Sequence, residues 1–246
     1  MKYTVLTLFP ELVAPWAATG ILAKAAAAGQ LQFDIRDLRD WATDRHRTAD
    51  DAPYGGGAGM VIRVDLVARA LAEVRTTSPD AHVVLLTPAG ERLDQALVER
   101  LARESHLVLL SGRYEGFDAR VEELVDREVS VGDYVLMGGE AAVVALIEAT
   151  ARLQDGVLHD SESALKESFA AGLLDYPEYT RPPEFEGRKV PEILLSGNHG
   201  EVARWRRRQA LERTFRRRPD LLEKADLTAD DEEFLESLHP DPTGDV

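Results

Sequence analysis

Three stretches of this chain bring glycine together with hydrogen-bonding side chains. They are Pro88-Ala89-Gly90, Gly112-Arg113-Tyr114-Glu115-Gly116, and Val131-Gly132-Asp133-Tyr134-Val135-Leu136-Met137-Gly138-Gly139. Glycine lets a ligand approach the backbone closely enough to be read by its N–H and C=O groups. One such loop would pass for a tight turn; three in succession favour a shared pocket. A fourth glycine-rich stretch, Asp44 to Met60 (DRHRTADDAPYGGGAGM), is read either as a plain surface loop or as a substrate loop. Long charged loops inside compact domains tend to be functional, which makes Arg45, His46 and Asp50 candidate substrate contacts.

Other chemistries are excluded. The chain has no cysteine, so disulfide scaffolds, thiolate zinc sites and cysteine nucleophiles are out. Gly55-Gly56-Gly57-Ala58-Gly59-Met60 lacks the following Lys of a triphosphate loop, and Phe9-Pro10-Glu11 stands where a dinucleotide G-x-G-x-x-G would follow the first strand. No G-x-S-x-G occurs. The histidines, His46, His82, His106, His159, His199 and His239, show no metal-ligand spacing.

From Glu201 to Arg218 eight arginines face two glutamates, a local charge of +6; from Pro219 to Val246 ten acidic residues face Lys224 alone, or −9. On a helical wheel the arginines surround the axis, leaving little apolar face. A solvated helix is the bland reading. Contact with the phosphates of RNA or DNA is the sharper one, with Trp205 available for stacking or packing. The acidic tail would then limit non-specific sticking or keep the chain soluble.

The elements that hold these groups alternate. Tyr3–Leu8 is predicted as a strand and Glu11–Ala28 as a helix. The apolar runs His82–Thr87 and Leu107–Ser111 are predicted as strands buried on both faces of a parallel sheet. Glu91–Ser105, with Leu93, Leu97 and Leu101 at helical spacing, is predicted to lie between them. A helix near Phe117–Val125, a strand near Asp133–Leu136 and a helix from Glu140 to about Leu153 complete a βαβαβ pattern, hence an α/β fold with a parallel sheet. In such a sheet ligands bind beyond the carboxyl ends of the strands, where the three glycine loops fall. Further on, Asn198 with Glu201 and Thr228 with Asp231 read as helix starts, and Pro219 as a helix stop. The polar stretch Asp155–Ser168 reads as a linker, and the tail from His239 as frayed. The expected division is an α/β domain over residues 1–156, a linker over 157–172 and a small helical domain over 173–246.

With 246 residues (27.2 kDa), net charge −15, 44% hydrophobic and 30% charged residues, the composition is that of a globular chain. The apolar start stops at Pro10, too early for a signal peptide, and the longest uncharged apolar run, Ala141–Ile147, is far below a membrane span. A cytoplasmic, membrane-free protein is expected.

The motifs GGGAGM, PAG, SGRYEGFDAR, VGDYVLMGGE, LLDYPEYTRP and LLSGNH, in this order from the first strand to about Pro219, resemble the bacterial tRNA (guanine-N1)-methyltransferase family, TrmD. The resemblance implies a SPOUT-class enzyme with a trefoil knot in its sheet domain and a helical tRNA-binding C-terminal domain. It implies a homodimer with S-adenosylmethionine as methyl donor and guanosine 37 of tRNA as substrate. Mg²⁺ is implied as well, with no ligand set assigned. Carried over by position, the donor site falls on Pro88, Gly90, Gly112, Tyr114, Glu115, Val131, Gly132, Asp133, Tyr134, Val135, Leu136, Gly138 and Gly139. The candidate tRNA contacts are Arg45, His46, Asp50, Arg181, Asn198, His199, Arg204, Arg207 and Arg208. Arg152 matches the family's catalytic arginine, though it could serve merely as a helix cap. Glu167, in Glu167-Ser168-Phe169, stands where the family has an Asp base, with Asp160 and Glu162 as second choices; Ala142 stands where a Pro is common. Guanine N1 carries a proton that a carboxylate must remove, while an arginine steadies charge developing on O6. A non-catalytic RNA binder that lost its base, and a SPOUT enzyme with another RNA target, are the alternatives.

Overall fold

The computed structural model describes residues 1–158, 168–169 and 172–238, divided into two compact units, Met1–Ser161 and Glu162–Val246. The expected linker lies largely outside the described residues, as do the tail from His239, Asp160, Glu162 and Glu167.

The first unit is built on a five-stranded, wholly parallel sheet: β1 (Lys2–Thr7), β2 (Gln32–Asp37), β5 (His82–Arg92), β6 (His106–Ser111) and β7 (Arg127–Ser130), in the order β2-β1-β6-β5-β7. Side chains alternate across it. Tyr3, Val5, Val84, Leu86, Leu107 and Leu109 pack on one face with α1 (Pro10–Ala17), α2 (Gly20–Ala27), α4 (Gln95–Leu101) and α5 (Glu140–Ala151). Leu6, Val83, Leu85, Val108 and Leu110 pack on the other, chiefly under α3 (Val64–Thr77). Burial on both faces explains why β5 and β6 read as unbroken apolar runs. A short antiparallel pair, β3 (Asp50–Asp51) and β4 (Val61–Ile62), frames the glycine-rich loop.

Several predicted elements are corrected. The helix over Glu11–Ala28 is two helices, the first running through Pro15 to Ala17 and the second starting at Gly20, whose φ of 62° breaks the run. The helix predicted from Glu91 begins only at Gln95, capped by Asp94, whose side chain accepts from Leu97 N; Glu91 and Arg92 still belong to β5. Phe117–Val125 holds a 3₁₀ turn, Ala119–Leu124, capped by Asp118. Asp133–Leu136 is not a strand. The last strand of the five-stranded sheet is the preceding Arg127–Ser130, and the apolar run after it is turned outward, with Val135 87% and Met137 93% exposed.

Pro88-Ala89-Gly90 likewise is no βα turn but an irregularity within β5. Leu86 and Glu91 both pair with Val129 of β7, so the intervening residues loop out. A Cβ at Gly90 would stand 2.4 Å from Val129 N, so only glycine fits there.

The second unit contains the antiparallel pair β8 (Glu184–Phe185) and β9 (Arg188–Lys189), then α6 (Glu192–Leu195), α7 (His199–Arg217) and α8 (Ala229–Ser237). Asn198 caps α7 through Glu201 N at 3.3 Å, Pro219 follows its end, and Thr228 with Asp231 forms a reciprocal capping box on α8. Ala210 and Leu211 of α7 meet Leu173 and Leu235, with Phe215 and Phe234 at the margin. The arginine-rich helix therefore does have an apolar stripe.

Candidate active site

Beside the irregular part of β5, Leu85–Pro88, and beyond the ends of β6 and β7 lies a cavity of about 420 Å³. Eleven of the thirteen sequence-predicted donor residues line it, namely Pro88, Gly112, Tyr114, Glu115, Val131, Gly132, Tyr134, Val135, Leu136, Gly138 and Gly139. Gly90 and Asp133 are not in its wall: Gly90 is taken up by its close approach to β7, and Asp133 is exposed.

The walls are tied together by backbone. Gly139 N donates to Gly112 O at 2.8 Å, and Arg113 bridges Gly138, so the second and third loops form one surface. A Cβ on Gly138 would collide with Arg113 Nε at 2.2 Å, and one on Gly139 would stand tight against Ser111 Oγ at 3.0 Å. Tyr114 holds φ 59°, a left-handed conformation rare for a bulky residue and typical of binding loops.

Behind the floor is a buried ion pair that sequence reasoning missed. Glu140, 4% exposed at the start of α5, accepts from Thr7 Oγ1 at 2.7 Å and pairs with Arg113 Nη2 at 2.8 Å. The Arg113 guanidinium also lies 4.6 Å from the centroid of the Phe9 ring. The pair lies 27 positions apart in sequence, with no periodicity to join it. A buried carboxylate is retained only when paired, so the pair fixes the loop Gly112–Gly116 against α5.

The glycine-rich loop reaches the same site. Glu115 N donates to Met60 O at 3.0 Å and Ile62 N to Gly116 O at 2.9 Å, while a Cβ on Gly59 would collide with the Glu115 carboxylate at 2.4 Å. Within that loop Asp50 lies on β3, and Arg45 and His46 are exposed on a turn organised by Asp44, which accepts from His46 N and Thr48 N, both at 3.1 Å.

Charge and shape suit a cationic, partly apolar ligand. Glu115, Asp118, Glu122 and Glu128 share the cavity with Leu136 and Tyr134. Arg120 holds the Asp118 carboxyl at about 2, well below its ordinary value, so it is an anion throughout the physiological range. The Nε of Arg113, a cavity-lining residue, is buried without a hydrogen-bond partner. Among the described residues no group of three or more His, Cys, Asp or Glu is placed to hold a metal ion, so they offer no ready Mg²⁺ ligand set.

Arg152 is not brought to this cavity. It caps the far end of α5, roughly 20 Å from the Gly139 end at 1.5 Å per residue. In the second unit Arg181 and His199 are exposed, and Asn198 serves as helix cap. Arg204 pairs with Glu201, and Arg208 lies 5.4 Å from the centroid of Phe234. Arg207 is held by the buried Asp231, at 3.2 and 2.9 Å, and by Asp226 O at 3.0 Å. Asp220 takes Arg218 at 2.6 Å. The acidic block thus neutralises part of the basic one. Among the described residues no helix is long and apolar enough to cross a membrane.

A family model described as tRNA (Guanine-1)-methyltransferase TrmD matches residues 1–224. A Deinococcus radiodurans protein named tRNA (guanine-N(1)-)-methyltransferase is 57% identical across 98% of this chain and 87% of its own length. A protein of the same name from Thermus thermophilus is 57% identical across 93% of this chain and 94% of its own. One from Geotalea uraniireducens is 52% identical across 97% of each.

Proposed function

Because the chain belongs to the tRNA (guanine-1)-methyltransferase family, TrmD, we propose that it transfers the methyl group of S-adenosylmethionine to N1 of guanosine 37 in tRNA, beside the anticodon. The observation that carries this reading is the single cavity walled by three glycine-bearing loops, in which Gly90 and Gly138 leave no room for a Cβ. Its carboxylates match a donor that is positively charged at sulfur. Bound there, S-adenosylmethionine supplies a methyl carbon open to displacement.

The chain's residues then divide the work. The glycine loops hold the donor by backbone contact, and the Arg113–Glu140 pair keeps them rigid. Glu167 is the proposed base: its carboxylate takes the N1 proton, the freed N1 lone pair attacks the methyl carbon, and the carbon–sulfur bond breaks. Arg152 is proposed to stabilise charge on guanine O6. Since Arg152 stands at the end of α5 away from the cavity, a homodimer in which each chain completes the other's site is the arrangement proposed. Asp50, Arg45 and His46, on the loop tied to Glu115, are proposed to face the guanosine and its neighbours. The second unit, with Arg181, His199, Arg204 and Arg208, is proposed to hold the body of the tRNA. Arg207 and Asn198 are proposed to act by positioning α7. We also propose the SPOUT trefoil knot for the sheet unit and the cytoplasm as the place of action.

The test is calorimetric titration with S-adenosylmethionine. Saturable one-site binding, weakened about tenfold or more in Gly138→Val, is expected. Equal affinity of the two proteins would move the donor site elsewhere.

A further inference from the structure

The second unit contains a cleft of about 320 Å³ that its own core does not use. One wall is the segment from Tyr176 to Arg181; the other is Trp205 and Arg206 of α7 with Leu194 of α6. Trp205 and Tyr179 are not stacked on one another: their ring centroids are 6.3 Å apart at 54°. Tyr179 is 47% exposed. The Arg206 guanidinium lies 4.8 Å from the centroid of Tyr176, and its Nε is buried without a partner. Neither Trp205 nor Tyr176 joins the cluster around Leu211. A large aromatic surface, an orphaned donor and the exposed Arg181 therefore converge on a space that folding leaves open.

We propose that this cleft takes one unpaired nucleobase of the tRNA. The base stacks on Trp205 or Tyr179, and Arg206 Nε and Arg181 meet its polar edge or its adjoining phosphate. Every base has a π-face, so the contact is tolerant of sequence and contributes affinity without choosing a nucleotide. Arginine beside aromatic rings favours this occupant over an apolar protein side chain, for which Arg206 Nε would stay unsatisfied. The proposal rests on the tRNA reading above and adds a contact remote from the methyl-donor cavity in sequence.

The test uses the full chain and an unmodified tRNA transcript, with three readings per protein: tRNA affinity, S-adenosylmethionine affinity and methyl transfer. Trp205→Ala is expected to weaken tRNA binding about tenfold, within the ~5- to 150-fold spanned by loss of one stacked base. Trp205→Phe should stay within about twofold, because it keeps the aromatic face. Donor affinity should be unchanged in both. Binding of tRNA should quench tryptophan fluorescence in the native chain and quench it less in Trp205→Phe. Should Trp205→Ala not fold, the half-exposed Tyr179→Ala replaces it. Native-like tRNA affinity in folded Trp205→Ala and Tyr179→Ala, while the native chain methylates tRNA, would overturn the cleft and leave the function standing. Such affinity together with altered sedimentation would assign the cleft to a second copy. A native chain that neither binds nor methylates tRNA would overturn the function itself.

Discussion

Glu167, the proposed base, carries one methylene more than the aspartate that the resemblance implies at its position, and in the proposed mechanism transfer depends on its carboxylate reaching guanine N1. Glu167→Ala is expected to lower methyl transfer by at least about a hundredfold, the usual worth of a positioned base, while S-adenosylmethionine affinity stays within about twofold. Glu167→Asp should remain active. Transfer by Glu167→Ala at the native rate would hand the proton to another group. Arg113 offers a second prediction. Its replacement by Ala leaves Glu140 buried and unpaired, so the unit should lose about 3 kcal/mol, read in a denaturant midpoint, and bind the donor more weakly. Native stability in Arg113→Ala would show that the floor of the cavity is held by other means. The glycine loops were legible because their composition alone signals close backbone approach. The Arg113–Glu140 pair was not, because a tertiary contact leaves no mark on local spacing.

Among the elements, β5 and β6 were legible and β7 was not. Val83–Leu86 and Leu107–Leu110 are buried on both faces, so their apolar runs have no interruption. Arg127-Glu128-Val129-Ser130 closes one edge of the sheet with a single buried apolar residue, Val129, and has no pattern to read. The apolar Tyr134–Met137 run drew the strand assignment instead, although its side chains face outward. The α7–α8 contact yields a pH prediction. Arg207 holds the Asp231 carboxyl at about 2, against an ordinary 3.8. A carboxyl depressed in the folded state contributes stability that is complete above its unfolded value and lost as pH falls through its folded value. The thermal stability of the second unit should therefore fall as pH drops from about 4 to about 2. Asp231→Asn should flatten that slope and cost on the order of 2 kcal/mol at neutral pH. An unaltered slope in Asp231→Asn would remove the pair from the stability of α7 and α8.

At the scale of the whole molecule, a net charge of −15 hides a basic helix that its own acidic sequel partly neutralises through Asp231 and Asp220. The charge blocks were evident in the sequence; their mutual pairing was not, because it depends on how α8 and the turn after α7 fold back. Exposed arginines that remain, such as Arg208 and Arg217, should make tRNA binding fall steeply with salt. The division of labour proposed above gives the methyl donor to the sheet unit and the grip on RNA to the second unit. It is tested by incubating the protein with labelled S-adenosylmethionine and unmodified tRNA, then digesting the product and identifying the modified nucleoside. N1-methylguanosine at position 37, absent when that base is replaced, is the expected result. Label on another nucleoside, or donor binding with no transfer to any tRNA, would contradict it.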